Sequence, residues 1–159
     1  MAGAVTTMSA WANAIVDALK TEYGSEFPLI GAYSLRDTSG TTYPQLTGQH
    51  ALLLRAGNAS LPEERRVLDR QGVEVDWIIS VAVPTDTADA DLVLLDRAAR
   101  IAAFVRASHR DRMERGNRWG LESAVGDASN QQMPEFDTID LHGYVLRPVT
   151  WTQVGYIAR

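Results

Sequence analysis

The chain has no cysteine, which removes disulfides, thiolate metal sites and cysteine nucleophiles together and suits assembly in a reducing compartment. Long apolar runs are missing as well. Trp77-Ile78-Ile79 and Val81-Ala82-Val83 fall far short of the ~18 consecutive apolar residues that a membrane helix needs, so no membrane association is expected. The opening MAGAVTTMSAW has no basic segment and is followed by Asn13, Asp17 and Lys20. A secretory leader is therefore not expected, and the Asn58-Ala59-Ser60 sequon is expected to stay unused. Positive charge is short overall: 15 basic residues face 20 acidic ones, a net charge of −5, which argues against a protein that binds nucleic acid by neutralising phosphates. Compact catalytic signatures are absent too. There is no G-x-S-x-G elbow, no G-x-x-x-x-G-K-[ST] phosphate loop, no G-x-G-x-x-G fingerprint and no H-E-x-x-H. His50, His109 and His142 lie far apart, and nothing local selects them as ligands or bases. The expectation is a protein without enzymatic activity, cofactor or metal.

What is present centres on residues 72 to 107. Val73, Val75, Trp77, Ile79, Val81 and Val83 recur at every second position, the period of a strand with one core face. After Pro84 the period changes: Leu94, Ala98, Ile101 and Val105, with Leu95 and Ala102 beside them, predict a helix to about Ala107 that lies back on the strand. Between the two, Asp86, Asp89 and Asp91 raise the question of a metal. Their spacing lacks the D-x-D-x-D-G of a calcium loop and its distal Glu, so Thr87 or Asp89 is read as a helix cap with carboxylates near the positive end of the dipole.

A chain of 159 residues fits one domain, since single cores commonly hold about 100–200 residues. Residues 1–8, small and without periodicity, read as a flexible tail, and 9–159 as the domain. Ser9 is the expected N-cap of a first helix whose stripe is Trp11, Ile15, Ala18 and Leu19. The helix is expected to end near Tyr23, with Gly24 in the left-handed conformation. Residues 25–49 carry turn chemistry, with at most one short strand near Leu29 to Leu35. His50 to Arg55 reads as a buried strand pairing with the long one. At the other end, 126–135 is a linker, followed by strands from about Thr138 to Arg147 and from Val149 to Ile157; Pro148, lacking a donor, marks an edge, a bulge or the join between them. The element order predicts an α+β fold, an antiparallel (mixed) sheet with two main helices packed on one face.

Two charged stretches invite contact with a partner. LPEERRVLDRQG offers Glu63, Glu64, Arg65, Arg66, Asp69 and Arg70 in near balance, either a solvated loop, the projecting end of a β-hairpin, or a partner-binding arm. Arg106, Arg110, Arg112, Arg115 and Arg118 stand against only Asp111 and Glu114, a local positive excess in an acidic chain. It is either exposed surface or a contact for an acidic partner. Of the four tryptophans, Trp11 and Trp77 read as core. Trp119 and Trp151, beside the basic stretch and near the C-terminus, are the ones open to an interface role.

WANAIVDALK, ALLLRAG, VEVDWIISVAVP with the acid-led helix DADLVLLDRAARIAAFVRA, RWGLESAV and DLHGYVLRPVTWTQVGYIAR together, in this order, resemble the tail-terminator (tail-completion) proteins of long-tailed bacteriophages, in particular the Mu-like branch. The resemblance spans most of the chain and rests on the ensemble of segments. It implies a non-enzymatic structural protein of the virion neck, assembled in the host cytoplasm, forming a homo-oligomer, a ring of six. The ring would cap the tail tube protein, end tail polymerisation, face the head-tail connector protein and let DNA pass through its lumen without sequence-specific binding. Two other readings stay open: another neck or minor tail subunit of head-completion type, and a small α+β ligand-binding domain or enzyme, which would need a pocket with converging polar groups.

Overall fold

The computed structural model describes residues 7–33, 48–67, 69–106, 119, 128–135, 137 and 142–158. Helix α1 (Met8–Tyr23) is capped by Thr7, whose extended backbone (φ −101°, ψ 162°) lets its Oγ1 accept from the amide of Ala10 at 3.1 Å. The cap thus lies two residues before the expected Ser9, because Thr7 supplies the acceptor that the first free amides need. Trp11, Ile15, Val16, Leu19 and Tyr23 form the buried stripe. Gly24 also departs from expectation. Its backbone is right-handed (φ −59°, ψ −27°) and its amide donates to the Lys20 carbonyl. Glycine fits there because an added Cβ would lie 2.5 Å from that oxygen.

Five strands form the path β1-β2-β4-β6-β5. The short β1 (Leu29–Ala32) runs parallel to β2 (Ala51–Ser60). β2 and β6 (Tyr144–Ala158) flank the central β4 (Arg70–Pro84) as antiparallel neighbours. β4 and β6 pair along their whole length, from Arg70↔Ala158 to Pro84↔Tyr144. β5 (Ser129–Gln132) sits outside β6. A 3-10 turn (Glu63–Arg65) and the two-residue β3 (Arg66–Val67), paired to the start of β4, close the β2–β4 hairpin.

The expected pair of C-terminal strands is one strand. β6 passes through Pro148, which stands opposite Ser80 and beyond Thr150, the last β6 residue that β5 pairs. No described strand lies outside that position to call on the donor that proline lacks. The first part of the expected strand, residues 138–141, lies outside the described residues.

All six alternating residues of β4, from Val73 to Val83, are buried, together with Val149 and Trp151 of β6. This face carries both helices, as the sequence period requires. The rings of Trp11 and Trp77 meet edge to face at 5.1 Å. Trp11 also lies over Gly155, where a Cβ would come within 2.7 Å of the indole. α2 (Ala90–Arg106) buries Leu94, Ala98, Ile101 and Val105 as expected, and Phe104 in addition. Leu95 is exposed instead, at the border of the stripe. Asp89 adopts a left-handed backbone (φ 52°) and meets the first turn through its carbonyl, which accepts from the amides of Leu92 and Val93. The fold is α+β: a mixed, mostly antiparallel sheet with two helices packed on one face.

Candidate functional site

The sheet face turned away from the helices has a different chemistry. At one end Ala51, Leu53 and Ala82 form a small apolar cluster with Leu29, Tyr33, Tyr144 and Leu146. Moving along β2 and β4, the face becomes polar. Arg55 ends the buried half of β2 on the same side as Ser80 of β4. Its guanidinium donates to Ser80 Oγ at 3.1 Å and to Asp137 Oδ1 at 3.1 Å, while the Ser80 hydroxyl donates to Asp137 Oδ2. Arg55 is 8% exposed and the Asp137 side chain 1%. Each charge is therefore both paired and hydrogen-bonded, the condition under which buried ions are tolerated.

Beside this network lies a groove of about 620 Å³. Asp76, Ile78, Thr150 and Thr152, neighbours across β4 and β6, form its floor. Asn58 of β2 stands on one side, and Asn130 and Gln132 of β5 on the other. Thr152 donates to Asp76 Oδ1 at 2.7 Å. The pairing register is irregular at both walls, between Ala56 and Ala59 in β2 and between Ser129 and Gln132 in β5. Asn130 holds φ at 52°. Extra or displaced residues of this kind re-aim side chains, and here they flank one groove.

The sequence-selected residues fall elsewhere. Glu63, Glu64, Arg66 and Asp69 are exposed at the hairpin tip; Arg65 belongs to its 3-10 turn, and Arg70 is half-buried 3.6 Å from Asp69. Arg106 is exposed at the end of α2. Arg110, Arg112, Arg115 and Arg118 lie outside the described residues. Trp119 and Trp151 need correction as partner contacts. They are 5% and 1% exposed, their rings stack at 6.3 Å, and both indoles donate to Gln153 Oε1, at 3.0 and 3.2 Å. Trp151 is on the odd-numbered, helix-facing side of β6, so register decides its burial.

Asp86, Asp89 and Asp91 are exposed, and among the described residues no three His, Asp or Glu side chains group as a metal site. His50 Nδ1 contacts the Arg97 guanidinium, which also lies over the Phe27 ring at 5.2 Å. Burial, then the Arg97 charge, hold His50 below its ordinary pKa, with Asp86 opposing. The Arg100 guanidinium, 3.0 Å from Glu26 Oε1, keeps that carboxyl below its ordinary range, with burial opposing. No helix among the described residues is long and apolar enough to cross a membrane.

Sequence reading missed the Arg55–Ser80–Asp137 network and the groove. A charged residue at the end of the apolar run ALLLR was the available signal for Arg55; Asp137 had none, because only folding brings it to Ser80. No protein-family model and no curated protein matches the chain.

Proposed function

We propose that this protein is a structural subunit of the phage neck that caps the tail tube as a ring, ends tail polymerisation and meets the head-side connector. The observation that carries this reading is that one small domain presents two unlike surfaces and a charged arm. One sheet face is closed by α1 and α2, the other carries a small apolar cluster at one end and the polar groove at the other, and the β2–β4 hairpin ends in exposed Glu63, Glu64, Arg66 and Asp69. A subunit that stops a polymer needs one surface matching the tube and another that does not repeat it. Such unlike surfaces also suit the head-to-tail contacts by which rings close. In the phage that encodes it, removal of the protein leads to tails of irregular, excessive length without heads. Tails of normal length joined to heads in its absence would overturn the assignment.

A second reading, a small ligand-binding domain, is favoured by the polar groove. Light scattering on the eluting protein separates the two: a closed ring supports the cap, a monomer the ligand-binding domain.

A further inference from the structure

We infer that the groove between β2 and β5 is a docking site for an extended polypeptide segment of a partner protein, neutral or carrying one basic side chain. The chemistry of the lining selects this occupant. Arg55 lies at the groove, but its charge is answered by Asp137. The remaining charge is the carboxylate of Asp76, whose Oδ1 accepts from Thr152. A phosphate or an acidic segment would thus surrender its hydration and meet a negative floor, which excludes nucleic acid and acidic ligands. The other polar groups are carboxamides and hydroxyls: Asn58 on one wall, Asn130 and Gln132 on the other, Thr150 and Thr152 beneath. Carboxamides both donate and accept, which matches the alternating N–H and C=O groups of an extended peptide backbone.

The walls are built as well as composed. Gly57 stands where a Cβ would come within 3.1 Å of the Ile78 side chain and 3.2 Å of the Asp76 carbonyl, so a side chain there would crowd the floor. Asn130 holds a backbone conformation that costs a non-glycine residue energy. That cost brings a carboxamide to the wall opposite Asn58. A carbohydrate would use the same polar groups, but its sites are helped by an aromatic face, and the ring of Trp151 is turned to the helix side. The inference does not depend on the capping role, since any partner with such a segment meets the same chemistry.

The test uses the full chain, isotope-labelled for backbone resonances, and a displayed library of random twelve-residue peptides with at most one lysine and no acidic residue. Selected peptides are expected to shift the resonances of Asn58, Asp76, Asn130 and Gln132 first. Asn130→Gly removes the carboxamide while relaxing the backbone; it is expected to keep the fold and weaken binding about fivefold, the effect of one lost neutral hydrogen bond. Thr150→Trp, which fills the floor, is expected to abolish binding. Peptides that bind at unshifted groove resonances, an Asn130→Gly variant that binds unchanged, the absence of any selected binder, or displacement of the peptide by neutral oligosaccharides would each overturn the proposal. If binders are found but the protein elutes as a monomer and tails form without it, the groove stands and the capping role fails.

Discussion

Gln153 shows how one side chain can settle the fate of two others. Its Oε1 accepts from both Trp119 and Trp151 in a site where Gln153 itself is 1% exposed. Gln153→Met keeps much of the volume but leaves two indole donors buried without that acceptor. A buried donor left unsatisfied costs about 1–3 kcal/mol. Urea unfolding is expected to show a loss of that order for each indole, with altered tryptophan emission; an unchanged midpoint would show that the indoles find other acceptors. His50 gives a pH signature. Its folded pKa lies below the ordinary histidine value of 6.5, so above that value neither state binds the proton and stability is complete. As pH falls through it, the unfolded chain takes up a proton that the folded chain refuses, and stability declines until the folded pKa is reached. Stability measured from about pH 7.5 down to about pH 5.5 is expected to fall, and His50→Gln to flatten that part of the curve. Equal slopes in the two proteins would place the titration on another group.

At the scale of elements, β4 and α2 were the most legible parts of the sequence, because their burial follows a period that each carries within itself. Every second residue of β4 from Val73 is buried, and four of the helix positions chosen by spacing are too. Trp77→Ala is accordingly expected to cost about 3–5 kcal/mol, since the ring fills the space between Trp11 and the sheet; retention of the wild-type melting temperature would mean that the site collapses around the loss. What periodicity could not supply was pairing. Trp151 alternates on β6 as visibly as Trp77 does on β4, but only the register Trp77↔Trp151 puts it inside. Pro148, whose missing donor marks an edge, a bulge or the join between two strands, lies inside one strand, which continues because its outer neighbour stops short. The hairpin tip is a separate case. Replacing Glu63 to Asp69 by Asn-Gly removes exposed charge and the short β3, so melting should change little. Under the proposed capping role, docking onto the tube end should weaken; unchanged docking would assign the contact to another surface.

For the molecule as a whole, fold class was readable and the candidate site was not. Helices and strands announce themselves through patterns in neighbouring residues, whereas the groove assembles Asn58, Asp76, Asn130 and Thr152 from four strands. The polar network is equally distributed: Arg55, Ser80 and Asp137 meet only after β2, β4 and the segment before β6 have come together. The charged stretches that drew attention in the sequence are those that local composition can reveal, and surface charge is common for reasons unrelated to binding.

The full-length pairing of β4 with β6 also dictates an order of events during synthesis. Asp76 and Thr152, partners in that ladder, are 76 residues apart, so the ribosome releases β4 well before the strand that completes it. Until then β4, whose alternating residues from Val73 to Val83 are all apolar and buried in the finished fold, has β2 on one side and an unpaired edge on the other, the kind of template that recruits strands from neighbouring nascent chains. The long loop that must close before this ladder forms makes the step slow relative to local helix formation. Expression yield is therefore expected to depend on how fast the last strand arrives. A chain truncated before Tyr144 should pellet, and co-expressed β6 peptide should return part of it to the supernatant.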